Sequence, residues 1–352
     1  MKSFFKRSAI SLVVLGMAGS VYAGTPNHNY SSWCPHVSGA FIGVEGLDLR
    51  PMNGDLDYVT VFPTAVGGIF NTNQISTSYK WGWRVYAGLK VTENDDLTVS
   101  WMQLNTSQNN SVGLGGTDAA SPRWLSEFED ILAWNSVNGH VTFDLNDAYA
   151  VWGHTIYFNN PWSVRFAGGV EWAQLHSNMT VTGDSTTTAV GDVGFKAKNS
   201  TTGVGPRFEI DMTYHLPYGF ALFGNGNAAL LVATRDLSLY PTNTTETVFD
   251  FFGSNYSDRH VVVPKFGARL GASYSYTWGQ AGGEGCRTTT LMVDAGWQVE
   301  SYIHAIERPD DPGFSTIPAL LPVTDGHFAG TKVSNFSDSG LFLGIQLGTD
   351  WV

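Results

Sequence analysis

The sequence predicts an all-β fold: a transmembrane antiparallel up-and-down β-barrel of about ten strands. Three observations carry this. Apolar and polar residues alternate with period two over segments long enough to span a bilayer. The connections between these segments alternate short and long. Aromatic residues gather at both ends of the segments, where amphipathic rings settle at membrane–water interfaces.

Composition narrows the alternatives. The chain has 352 residues, of which 43% are hydrophobic and only 14% charged, against about 25% charged in ordinary soluble domains. Its net charge of -12 disfavours nucleic acid, which needs clustered Lys and Arg to displace counterions. Its 13% aromatic content excludes intrinsic disorder. After the first two dozen residues no apolar run reaches the ~18 residues that a membrane helix needs.

Residues 1–23 have the three parts of a secretory signal: basic Lys2, Lys6 and Arg7, an apolar run from Ala9 to Ala18, and a small-residue site at Val21-Tyr22-Ala23. Cleavage is expected after Ala23. Residues 24–36 are then a periplasmic segment and residues 37–352 the barrel.

Ten strands are expected, at about 38–49, 79–91, 96–104, 140–158, 162–175, 203–216, 219–233, 260–278, 288–304 and 340–352. The segment from Trp162 shows the pattern well. Trp162, Val164, Phe166, Val170 and Trp172 fall on one face, and Arg165 and Glu171 on the other. A soluble sandwich would bury the apolar face. A membrane barrel turns it to lipid and encloses the ionic one. Trp81, Phe166 and Ile345 are therefore expected to point outward.

The short connections are Thr92–Asp95, Asn159–Pro161, Pro217–Tyr218 and Gly279–Arg287. The long ones lie at about 50–78, 105–139, 176–202, 234–259 and 305–339. Short periplasmic turns and long outer loops belong to outer-membrane barrels. An even strand number places both ends of the barrel on the periplasmic side. Tyr157, Trp162, Tyr214, Tyr276, Trp278 and Trp351 form the periplasmic belt, and Tyr79, Trp81, Trp101 and Trp172 the outer one. The count rises to twelve if 55–62 or 179–183 pairs within the barrel.

Three stretches carry a family resemblance: Gly43-Val44-Glu45-Gly46-Leu47-Asp48-Leu49-Arg50-Pro51, Gly203-Val204-Gly205-Pro206-Arg207 and Ala295-Gly296-Trp297-Gln298-Val299. In these, and in their spacing, the chain resembles the Legionella major outer-membrane protein family over most of its length. The resemblance implies an abundant outer-membrane barrel of a Gram-negative bacterium with porin-like or surface-structural roles, often disulfide-linked.

No catalytic constellation emerges: there is no Gly-x-Ser-x-Gly elbow, HExxH or Walker loop. Glu127, Glu129 and Asp130 with His140 read as a solvated loop face, so no enzyme activity, cofactor or metal site is expected. The candidate site is the lumen. Lys80, Arg84, Lys90, Arg165, Arg207, Lys265 and Arg269 are expected to face Asp144, Glu171, Glu209, Asp211, Asp294, Glu300 and Asp350 inside it. Such charges either line a narrow aqueous pore or interlock and fill the lumen. Ten strands lie near the limit at which side chains alone fill a barrel.

The expected function is a porin-like channel for ions and small hydrophilic solutes that is also a major surface protein. The alternative is a surface structural or adhesion protein with a plugged barrel and binding loops. Expected partners are outer-membrane lipid, lipopolysaccharide and small hydrophilic solutes, with neighbouring copies as a further partner. Cys34 and Cys286 sit at the same end of the barrel and are candidates for a disulfide, either internal or between molecules.

Overall fold

The computed structural model describes residues 38–63, 70–114, 118–124, 134–158, 161–185, 192–242, 254–280, 287–310 and 330–351. The signal segment, the stretch 24–36, Cys34 and Cys286 lie outside these. The strands are β1 (Ser38–Asn53), β2 (Asp57–Pro63), β3 (Asn71–Gln74), β4 (Lys80–Lys90), β5 (Asp95–Gly113), β6 (Asp118–Pro122), β7 (Trp134–Phe158), β8 (Trp162–Ser185), β9 (Asp192–His215), β10 (Phe220–Pro241), β11 (Ser254–Gln280), β12 (Arg287–Pro309) and β13 (Thr331–Trp351). Ten of them close into an antiparallel barrel in the order β1-β4-β5-β7-β8-β9-β10-β11-β12-β13. Closure of β13 on β1 sets Val44 opposite Ile345 and Glu45 opposite Gly344.

The predicted count of ten holds. Residues 57–63 pair with β3 and β6 in a separate three-stranded sheet, and residues 179–183 continue β8. The short turns are built from local chemistry. At the first, the Thr92 hydroxyl donates to Asp95 Oδ2 at 2.8 Å. At the third, Gly219 has φ +82°, and a Cβ there would lie 2.3 Å from the Ser275 carbonyl oxygen, so glycine is required.

The membrane-spanning part of each strand obeys the predicted sense. Trp81 is 62% and Phe166 49% exposed on the outer wall. On six neighbouring strands the apolar outer face ends along an oblique part-ring that follows the ladder register: Trp101 opposite Ala148, Ala148 opposite Trp172, Trp172 opposite Val204, Val204 opposite Val232 and Val232 opposite Val262. From Trp162 to Trp172, β8 covers about 25 Å of membrane normal at the usual strand tilt, which matches the apolar band of outer-membrane barrels.

Above that ring the alternation reverses. Asn105 and Ser107 of β5, Thr142 and Asp144 of β7, and Gln174, His176 and Asn178 of β8 now face out. Leu104, Val141, Phe143, Leu145, Leu175, Met179 and Phe195 face in and are buried. The physical reason is the change of solvent. Once the wall leaves lipid for water, polar groups must face out, and the apolar face must find cover inside.

This corrects the strand limits. The segments expected to stop near 104, 175 and 233 continue to Gly113, Ser185 and Pro241, and those expected to start near 140, 203 and 260 begin at Trp134, Asp192 and Ser254. Much of what reads as polar loop is strand with its sense reversed.

The β2–β3–β6 sheet folds into the outer mouth and completes this core. Tyr58, Val59, Ile75 and Trp124 are buried in it, and Trp124 Nε1 donates to the Pro309 carbonyl at 3.0 Å. Asp55, just before β2, fastens the sheet to the wall. It accepts from Arg123 Nη1 at 2.9 Å and Nη2 at 3.0 Å, and Arg308 and Lys332 lie 3.5 and 3.3 Å from its oxygens.

The lumen as candidate functional site

Below the outer ring the inward faces carry charge. Strand parity makes this unavoidable: with Ile42 and Val44 held towards lipid, Glu45 must point in, and the same holds for Arg84 beside Val85 and Arg207 beside Phe208. The inward side chains meet across the lumen in one connected layer.

Arg84 Nη1 is 2.9 Å from Glu45, and its Nη2 is 3.3 Å from Glu300. Arg269 bonds the other Glu45 oxygen at 2.7 Å. Lys265, 1% exposed as a side chain, reaches Asp147 at 2.6 Å, Glu171 at 2.7 Å and Glu300 at 3.1 Å. Arg207 links Glu171 at 2.6 Å to Glu209 at 2.8 Å. Nearer the periplasmic mouth Arg165 binds Asp96 and Asp211, each at 2.7 Å, and Glu209 at 3.3 Å. Lys90 and Asp350 pair at 2.9 Å at that mouth, more exposed.

Aromatic rings pack against this layer. The Arg207 guanidinium lies 4.0 Å from the Tyr149 ring centroid, and that of Arg269 lies 4.1 Å from Phe342. The Tyr302 hydroxyl donates to Asp147 at 2.6 Å. Gly344 is glycine because a Cβ would come within 2.3 Å of Asp294 Oδ1.

Most of the predicted lumen residues thus converge: Arg84, Arg165, Glu171, Arg207, Glu209, Asp211, Lys265, Arg269, Asp294 and Glu300 occupy this layer, and Lys80 faces inward at the outer end of β4. Asp144 does not. It is on the outer wall above the membrane band, opposite Asn105 and His176 in register, and accepts from Asn146 at 3.2 Å. Ala148, Ala150 and Trp152 fix the outward parity of β7, which sends Asp147 inward instead.

Sequence reasoning also missed Glu45, Asp96, Gln298 and Asp338. Glu45 was legible from the parity of Ile42 and Val44. Asp338 was not, because it lies where a loop was expected. Asp338 is fully buried, and among the described residues neither of its oxygens has a hydrogen-bond partner. The layer is acid-rich: Arg84, Arg165, Arg207, Lys265 and Arg269 face Glu45, Asp96, Asp147, Glu171, Glu209, Asp211, Asp294, Glu300 and Asp338. At the rim, His140 turns outward and hydrogen-bonds Asn109. Glu127, Glu129 and Asp130 lie outside the described residues.

A closed antiparallel barrel with an apolar outer belt, aromatic girdles and an enclosed ionic layer defines an integral β-barrel protein of an outer membrane. Residues 34–349 match the family model described as the Legionella pneumophila major outer membrane protein precursor. The chain belongs to that family. No curated protein matches the chain. Among solved structures, the outer membrane protease OmpT from Escherichia coli is similar at 8% identity and TM-score 0.35, covering 92% of this chain and 99% of that one. A FadL homologue from Pseudomonas aeruginosa is similar at 8% identity and TM-score 0.26, covering 95% of each chain. The translocator domain of the autotransporter NalP from Neisseria meningitidis is similar at 10% identity and TM-score 0.30, covering 100% and 98%. At these TM-scores the likenesses carry no argument about function.

Proposed function

We propose that the protein is a sealed outer-membrane anchor for a surface structure, the plugged-barrel reading, rather than an open porin. The observation that carries this is the double filling of the lumen. The inner half is crossed by the ion-pair layer centred on Lys265 and Arg207, and the outer half by the apolar core around Phe143 and Phe336, whose ring centroids are 5.3 Å apart. Buried ions in such a network hold one another in place, because removing one leaves its partners unpaired in low dielectric.

The outer half also suits a display role. Past Trp172, β8 continues to Ser185, raising a polar-walled stalk about 30 Å above the apolar band. Lipid and lipopolysaccharide surround the belt below.

Conductance of the full chain, refolded into a planar bilayer, tests this. A silent bilayer with protein of native gel mobility is expected. Reproducible unit steps would overturn it and restore the porin-like reading. The acid-rich layer would then make cations the favoured solutes.

A further inference from the structure

The apolar outer face does not end at one height. A ladder row that starts at Val44 reaches β11 at Val262 by way of β4, β5, β7, β8, β9 and β10. By way of β13 and β12 the same row reaches β11 at Tyr274. The rows therefore climb the wall by twelve residues in one circuit of ten strands. A level line must drop by about one residue at each strand. The margin from Trp101 to Val262 follows a row instead, so it rises steadily across these strands.

It falls back in one step at the next strand. Above Ala268 opposite Val299, the outward pair is Phe266 opposite Ser301, and Ser337 of β13 donates to Ser301 at 2.8 Å. Strand β12 leaves the wall just above, where its register with β13 slips between Tyr302 and Ile306. The apolar outer run of β11 nevertheless continues up to Val262. From Trp278 to Val262 it far exceeds the ~9–11 residues that cross a bilayer. The excess lifts apolar surface up to roughly 15 Å above the lipid belt on this side. Val204, Leu230, Val232, Val262 and Phe266 form it, each more than half exposed. An apolar patch in water of this size, on the order of 500 Å², marks a contact site.

Opposite charges stand above the two flanks of the patch. On β9, Lys198 is exposed, with its Nζ 4.8 Å from the Tyr240 ring centroid. At the other flank a bulge in β11, opposite Arg235 and Leu237, brings Asp258 within hydrogen-bonding reach of Asp236 on β10. Both acids are exposed. Among the described residues no Lys or Arg pairs with either acid, and no Asp or Glu pairs with Lys198. Lys198 shares a ladder row with Ser238 and Asn255. The drop of about one residue per strand therefore sets it level with Asp236 and Asp258.

We propose that this patch is the contact surface between two copies of the chain in one membrane. Copies inserted from the same side share one upward direction, so a two-fold axis relating them runs along the membrane normal. An axis in front of β10 sets β9 of each copy against β11 of the other at equal height. Val232 then meets Val232, and Val204 meets the stretch from Val262 to Phe266. Lys198 faces Asp236 and Asp258 of the second copy, so the charges complement each other twice. The patch continues the lipid belt upward, and its cover must be apolar at the same height above the same membrane. A second copy meets that condition by symmetry. The contact does not depend on whether the barrel passes ions.

The test places p-benzoylphenylalanine, a photoreactive side chain, at Val232 or Val204 of the full chain in the outer membrane of a Gram-negative host. After irradiation and reduction, a band of twice the chain mass is expected from both sites. Mass spectrometry should find the Val204 probe joined to the peptide holding Val262 and Phe266. The same probe at Val85, on the far side of the barrel, should leave the chain single. Lys198→Asp or Asp258→Lys alone should lower the doubled band several-fold, and the two together should restore most of it. Adducts confined to lipid, to the same chain or to another protein would overturn the proposal, as would a doubled band indifferent to these charges. If the Val232 variant fails to reach native gel mobility, the Val204 variant carries the test.

Discussion

The inner and outer halves of the barrel use one scaffold with opposite interiors. Inside the membrane band the wall is apolar outward and ionic inward; Phe166 faces lipid while Arg165 binds Asp96 and Asp211. One turn of the wall higher, Thr142 faces water while Phe143 is buried against Phe336. The difference teaches that a barrel's interior is set by what lies outside it. Lipid takes the apolar side chains and leaves only polar ones for the lumen, whereas water takes the polar ones and leaves an apolar core. The two fillings also fail differently. A missing methyl group in the outer core leaves a cavity, but a missing charge in the inner layer leaves partners unpaired.

That contrast can be broken by removing one member from each half. Lys265→Met strips the cation shared by Asp147, Glu171 and Glu300. It is expected to cost about 4 kcal/mol, read as a lowered urea midpoint of the refolded barrel; an unchanged midpoint would show the layer to be solvated rather than interlocked. Leu145→Ala, at a fully buried site in the outer core, is expected to cost about 3 kcal/mol. A loss under ~0.5 kcal/mol would mean that this half is loosely packed.

The boundary between the halves can be sharpened with one substitution at two heights. Phe166→Arg puts a charge against the middle of the lipid belt and is expected to cost about 2–4 kcal/mol. Asn178→Arg puts the same side chain on the outer wall above Trp172, where about 0.5 kcal/mol or less is expected. Equal costs would mean that the apolar ring is misplaced.

The smallest effect concerns the mouth. Burial alone would raise the Asp55 carboxyl, but the charge and hydrogen bonds of Arg123, with Arg308 and Lys332 nearby, hold it below its ordinary value. A carboxylate with a lowered folded value contributes stability above its unfolded value of about 3.9. That contribution fades as pH falls below this and through the folded value. The protection of the amides of residues 57–63, taken as exchange relative to the intrinsic rate at each pH, should therefore fall below about pH 4 in the native chain. Asp55→Asn should show low protection at neutral pH and little further change in acid. An Asp55→Asn protein that matched the native profile would remove Asp55 from the latch.

Much of this was legible in the sequence. Period-two alternation with ionic residues on one face gave ten strands, their order and the outward rings of Trp81, Trp101 and Trp172. Parity also placed Arg84, Arg207 and Lys265 in the lumen. The outer half was harder to read, because its strands carry Thr, Asn and Ser on one face and look like loops when only an apolar outward face is sought. Asp144 and Asp147 show the limit. Three residues apart on one strand, they differ in parity, and the position of the lipid boundary decides what each face means.

The sequence by itself determined the barrel, because two-residue periodicity over membrane-length segments admits no other closed solution in lipid. Only the tertiary structure decided what fills it. Which carboxylate meets Lys265, where β12 leaves the wall, and how Asp55 ties the inserted sheet to the mouth all depend on contacts between residues far apart in the chain. Local alternation carries no information about those contacts.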